Sequence, residues 1–278
     1  MIFMSLGHFC DIHGPTLICV TQEGQLGNNG NELLLPNYPT ESYCESCMLN
    51  FPDCSTLDDN NGISTPTQGL SSLSFDEVDE GKGINGKNSH QPRSIRTFLD
   101  KKTYVTTQYS AIRYQLLTSM IRKAFSEETM IYDNSPLVFY DELKGLNLVM
   151  GFKLYDPNAR GNERRYCLVL TIENTEQLDA MKIVAALWHF ITDSFGMLIN
   201  SLKEKHSRNC SNLENPNTEE NGFTHDIGTF LRANKAKKSR NLSELTNDDF
   251  IYLRIHKWNT YIVNTLSSYI EKETKLSN

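Results

Sequence analysis

Tyr166-Cys167-Leu168-Val169-Leu170-Thr171-Ile172 is nearly all apolar or β-branched. A run with no solvent face belongs in the middle of a sheet rather than at its edge. Upstream, Pro136 to Tyr140 and Leu146 to Leu154 read as two further strands. The stretch 155–165, between the last two of these strands, is longer than a tight hairpin needs. Downstream, Asn174 and Gln177 have the spacing of a capping box. Leu178, Met181, Ala185, Trp188, Ile191, Phe195, Leu198 and Leu202 then recur every three or four residues. That spacing predicts one amphipathic helix of roughly eight turns, long enough to cover one face of a small sheet.

Working outward, Ile2 to Cys10 and Thr16 to Thr21 are β-rich runs around the turn signal His13-Gly14-Pro15, which predicts an antiparallel hairpin. Order returns at Tyr104-Val105-Thr106-Thr107. A helix follows, with Ile112, Leu116, Met120 and Ala124 on one stripe and Leu117 and Ile121 beside it. At the other end, Thr246-Asn247-Asp248-Asp249 reads as a capping box opening a last helix that carries Ile251, Ile255, Trp258, Ile262, Leu266 and Tyr269.

Between these elements the pattern dissolves. Residues 22–102 are dominated by Gly, Asn, Ser, Pro, Thr and Asp, with too little apolar surface to offset ordering entropy, and read as a disordered insertion. Residues 206–241 read as a flexible polar linker. Without both stretches roughly 160 residues remain, one ordinary domain. Its pieces are 1–21, 103–205 and 242–278. The expected fold class is α/β, a five-stranded mostly antiparallel sheet between one helix and two helices, which is the order of a longin domain.

Composition narrows the function. The 278 residues are 38% hydrophobic with a net charge of −7, and the mean hydropathy is −0.45. The negative balance argues against a nucleic-acid partner. The start of the chain lacks a basic and then apolar signal pattern. No apolar run nears the ~18 residues of a membrane span, so membrane contact is expected only through partners. The seven cysteines, Cys10, Cys19, Cys44, Cys47, Cys54, Cys167 and Cys210, form no regular framework and read as reduced thiols of a cytoplasmic protein.

Few residues carry candidate chemistry. Cys44-x-x-Cys47, followed by Cys54, has the best metal-like spacing, but a structural zinc needs four ligands and the next histidine along the chain is the distant His90. Free thiols are the expectation, with no metal and no cofactor. His8, Cys10 and His13 could cluster, although strand-end packing at a turn explains them as well. Arg232, Lys235, Lys237, Lys238 and Arg240 form a basic run that reads as solvated, with acidic headgroups as the alternative partner. No Walker-type phosphate loop is present, so the chain is not expected to be a GTPase itself.

Three stretches together resemble the folliculin family. They are His8-Phe9-Cys10-Asp11-Ile12-His13-Gly14-Pro15, Asn158-Ala159-Arg160-Gly161-Asn162-Glu163-Arg164-Arg165-Tyr166, and Arg240-Asn241-Leu242-Ser243-Glu244-Leu245-Thr246-Asn247-Asp248-Asp249. Animal folliculins continue into a DENN-type domain, so the chain looks like the short fungal members made of the longin part alone. The resemblance implies pairing with a folliculin-interacting protein. It also implies stimulation of GTP hydrolysis on the C/D-type subunit of a Rag GTPase heterodimer, in amino-acid signalling to the target-of-rapamycin complex at the vacuolar or lysosomal surface. In that picture the chain is no enzyme itself but supplies an arginine finger in trans, and the family's catalytic arginine falls on Arg160. Arg164 and Arg165 become candidates for contacting the partner, or one of them for orienting the loop, with a solvated surface role as the alternative for both. A non-catalytic longin scaffold or trafficking adaptor is the rival reading, since fold alone does not separate the two.

Overall fold

The structure, a computed structural model, describes residues 1–24, 44–49, 73–75, 94–108, 114–126, 130–173, 175–213 and 240–276. Its frame is an antiparallel sheet in the order β3-β4-β5-β2-β1-β8-β7-β6. The strands are β1 (Ile2–Cys10), β2 (Gly14–Gly24), β3 (Leu73–Phe75), β4 (Ser94–Leu99), β5 (Lys102–Thr107), β6 (Pro136–Asp141), β7 (Gly145–Tyr155) and β8 (Glu163–Ile172). The helices are α1 (Tyr114–Ala124), α2 (Gln177–Ala186), α3 (Trp188–Leu213), α4 (Leu242–Thr246) and α5 (Ile251–Leu276). The expected α/β longin class holds.

Strand alternation builds two cores. Met4 and Leu6 of β1, Leu148 and Met150 of β7, and Leu168 and Leu170 of β8 point to the face covered by α2 to α5. Phe3, Val149, Cys167 and Val169 point the other way, against Leu117, Met120, Ile121 and Ala124 of α1. So α1 is the one helix on this face among the described residues, as the sequence predicts. It lies close: a Cβ at Gly7, beside the bulge in β1, would meet the Ile121 side chain at 2.7 Å.

Five expectations need correction. The sheet has eight strands rather than five, because β3, β4 and β5 extend it past β2. The insertion assigned to 22–102 therefore contributes to the fold. Residues 22–24 finish β2, β3 and β4 pair in sequence with β5, and residues 44–49 pack on the first hairpin; the rest of that stretch lies outside the described residues. The polar linker at 206–241 starts late, since α3 continues to Leu213.

The single long helix is broken at Leu187, and its halves bend by 67°. The bend lets α2 follow β7 while α3 turns to pack against α4 and α5. Ala180 and Val184 are the buried positions of α2, leaving Leu178 and Met181 exposed. Asn174 lies outside the described residues, and Glu176 takes the cap position. Ile112 also lies outside them.

The last capping box sits earlier than expected. Asn241 and Glu244 form it reciprocally and open α4, whereas Thr246 is the buried end of that helix. Asp248 then accepts the Phe250 N–H just ahead of α5.

Candidate functional site

β7 ends at Tyr155 and β8 begins at Glu163, and the loop between them is knotted by its own backbone. The Asp156 N–H donates to the Asn162 carbonyl at 2.9 Å, the Ala159 N–H to that of Asp156 at 2.9 Å, and the Asn162 N–H to that of Ala159 at 3.0 Å. The Asp156 carboxylate also accepts the Asn158 N–H at 3.0 Å. Gly161 and Asn162 take left-handed backbone at φ 71° and 59°, which a glycine and an asparagine tolerate best. Arg160 stands at the tip. Its backbone N–H donates to Asp11 in the hairpin turn at 3.2 Å, and its exposed side chain has no partner among the described residues.

Charge fixes the loop from below. The fully buried Asp156 accepts from Arg164 Nε at 3.0 Å and from Arg240 Nε at 3.0 Å, and the nearly buried Arg164 also forms an ion pair with Asp11 at 3.3 Å. Burial alone would raise the Asp156 pKa. Arg240, the Asn158 N–H and Arg164 outweigh it, and the carboxyl sits below its ordinary value. Two carboxylates thus face two guanidinium groups in a site where an unpaired charge would be costly.

The three sequence stretches, far apart along the chain, converge here: Asp11 from the first, Arg160 and Arg164 from the second, Arg240 from the third. Arg164 is therefore no surface contact but the internal brace of the loop. Arg240 likewise leaves the solvated basic run, whose other members lie outside the described residues. Arg165 does face outward, 5.8 Å from the Tyr132 ring.

Beside the turn that holds Asp11, the structure gathers Cys10, His13, Cys44 and Cys47, with their ligand atoms all within 4.8 Å of one another. A short 3-10 turn over Glu45–Cys47 brings the last two in. Gln108 pins that turn, donating to the Cys47 carbonyl and accepting the Leu49 N–H at 3.0 Å. Hydrogen bonding from Cys47 holds the Cys10 thiol well below its ordinary range against the effect of burial, and the same pairing pushes Cys47 up. By contrast Cys19 and Cys167, buried in the sheet, are raised by desolvation and stay inert thiols.

The sequence reading treated these four groups as separate: thiols of a disordered stretch, and residues packing at a strand end. Cys54 and His90, weighed as their partners, lie outside the described residues. Both spacings, Cys10-x-x-His13 and Cys44-x-x-Cys47, stand in the sequence, and it is their pairing into one site that only the fold supplies.

Comparison with known proteins follows the same lines. The family model described as "Folliculin: Vesicle coat protein involved in Golgi to plasma membrane transport" matches residues 102–266. Protein LST7 of Saccharomyces cerevisiae is 47% identical over 271 residues, which is 95% of each chain.

Proposed function

The chain belongs to the folliculin family, and from that premise we propose that it is a GTPase-activating subunit lending Arg160 to a partner GTPase. The observation that supports this most is the contrast within one loop: an exposed guanidinium at the tip without a partner among the described residues, and a charge-locked base beneath it. An always-charged planar group on a loop whose backbone is already fixed can enter a neighbouring site and stabilise charge developing on a transferring phosphoryl group without the cost of ordering the loop.

In this proposal the target is the C/D-type subunit of a Rag GTPase heterodimer. The chain works beside a folliculin-interacting protein and is recruited through these partners to the vacuolar or lysosomal surface in amino-acid signalling. Arg165, exposed on the adjoining strand, is in this proposal a second contact to the GTPase. No single helix among the described residues is long and apolar enough to cross a membrane. The bent α2–α3 pair passes only by length and composition, and α3 sends Ile191, Phe195 and Leu202 into the core.

The test is single-turnover GTP hydrolysis by the Rag heterodimer with saturating chain and partner. Arg160→Ala should lower the stimulated rate by roughly 10³-fold or more, with binding to both partners unchanged. The family model's description favours a second reading, a trafficking adaptor without catalytic effect. Near-normal hydrolysis with Arg160→Ala would move the assignment there.

A further inference from the structure

We propose that Cys10, His13, Cys44 and Cys47 hold one structural zinc ion that ties residues 44–49 to the first hairpin. The spacing of the donor atoms carries the proposal. Cys10 Sγ lies 3.5 Å from His13 Nδ1 and 3.4 Å from Cys44 Sγ; Cys47 Sγ lies 3.3 Å from His13 Nδ1 and 3.6 Å from Cys44 Sγ; Cys44 Sγ lies 3.7 Å from His13 Nδ1. A zinc ion with sulfur ligands at about 2.3 Å and nitrogen at about 2.0–2.1 Å has tetrahedral edges of about 3.5–3.8 Å. These five separations span 3.3–3.7 Å and the sixth, between Cys10 and Cys47, is within 4.8 Å, so the four atoms surround one point at nearly tetrahedral spacing. A disulfide needs sulfurs about 2.05 Å apart, which no pair here approaches.

A second observation points to the same occupant. Three groups outside the set lie against its sulfurs, the Ile12 N–H donating at 3.4 Å to Cys10 Sγ, and two that are able to donate, His8 Nε2 at 3.2 Å from Cys47 Sγ and Ser46 Oγ at 3.1 Å from Cys44 Sγ. Loading zinc displaces to solvent whatever protons the three sulfurs still carry, and three thiolates with one divalent ion leave a single net negative charge on the site. Donors directed at thiolate sulfur are what such a site requires. Three sulfurs and one imidazole in tetrahedral array select zinc among common divalent ions. Four protein ligands leave no open position, so the role is structural and not catalytic.

The clamp matters to the neighbouring loop without depending on any reading of it. Asp11 lies inside the Cys10–His13 chelate, and it is Asp11 that receives the Arg160 N–H and the Arg164 ion pair.

The full chain, purified without chelator, should contain one zinc per molecule by mass-spectrometric metal analysis. Cys44→Ser and Cys47→Ser should each lose it, while Cys210→Ser should keep it. Reconstitution of metal-stripped protein with cobalt(II) under reducing conditions should give the intense visible bands of tetrahedral cobalt–thiolate coordination. The cobalt spectrum and the wild-type zinc content decide the matter even if the serine variants fold poorly. Folded wild-type protein without zinc, a weak octahedral cobalt spectrum, or a Cys10–Cys44 or Cys44–Cys47 disulfide in peptides of the unreduced protein would each overturn the site.

Discussion

Arg160 and Arg164 sit four residues apart, and the fold treats the same guanidinium in opposite ways. Arg164 is 2% exposed, locked between Asp156 and Asp11, with its charge consumed inside the molecule. Arg160 is held only by its backbone and offers its charge outward. A loop tip can be both precise and available only if something else supplies the precision. Here the buried arginine and two aspartates do so.

The two arginines should therefore fail differently when changed. Arg160→Ala should give the large kinetic loss described above and a stability change under about 0.5 kcal/mol, as for other exposed positions. Arg160→Lys should recover little of the rate, because an ammonium cannot reproduce a planar two-pronged contact. Thermal melts run beside the hydrolysis assay check both halves. A stability loss in Arg160→Ala comparable to that of a core change would dissolve the contrast.

Arg164→Met reverses the pattern. It keeps bulk but strips Asp156 of one buried partner, leaving Arg240, itself partly exposed, to hold the carboxylate. Removing one side of a buried pair costs about 3–5 kcal/mol, and the lower end is expected because Arg240 remains. Denaturant unfolding measures this directly. If Arg164→Met were as stable as the parent yet unable to support hydrolysis, Arg164 would be a contact residue after all.

This contrast also marks what the sequence could disclose. The apolar runs of β1, β7 and β8 and the stripes of α1 and α5 were legible because burial on one face leaves a period in the residues. Ser94-Ile95-Arg96-Thr97-Phe98-Leu99 shows no clear apolar period, because Thr97 takes the core-facing place between Ile95 and Leu99, where it meets His256 of α5, and so the run reads as part of the insertion. The bracing role of Arg164 is one reading among several for a related reason: an arginine at a strand start reads equally as solvated unless its carboxylates are known. Asp156 is eight residues away but Asp11 is 153, and only the fold joins them. The same applies to Cys10 and Cys44. Their spacings with His13 and Cys47 were visible, whereas the shared site depends on a chain path through residues with little pattern of their own.

The smallest effect concerns α5, which docks on the sheet through buried polar contacts as well as through its apolar face. His256 lies between Thr106, 2.6 Å from Nδ1, and Thr97, 2.6 Å from Nε2. Burial lowers its pKa from 6.5 to about 4, with Lys257 adding to the shift. Protonation would not cost hydrogen bonds, because both threonine hydroxyls can turn to accept; the cost is putting a charge where water is excluded. The folded-state pKa lies below the unfolded one, so the unfolded chain binds the proton first as acid is added. Stability is therefore full above pH 6.5 and falls until about pH 4, with His256 contributing a loss of about 2 kcal/mol between pH 7 and 5. His8, also lowered to about 4 by burial, adds its own loss in the same window. Asp156 does not interfere there, since its depressed pKa places its contribution at risk only in stronger acid. His256→Gln keeps a donor and an acceptor but cannot titrate. It should start somewhat less stable at pH 7 and then lose about 2 kcal/mol less than the parent on acidification to pH 5. The slope of unfolding free energy against pH is the deciding quantity, because the starting level also reflects the altered packing. Parallel slopes for the two proteins would show that His256 does not stay neutral in its place between the threonines.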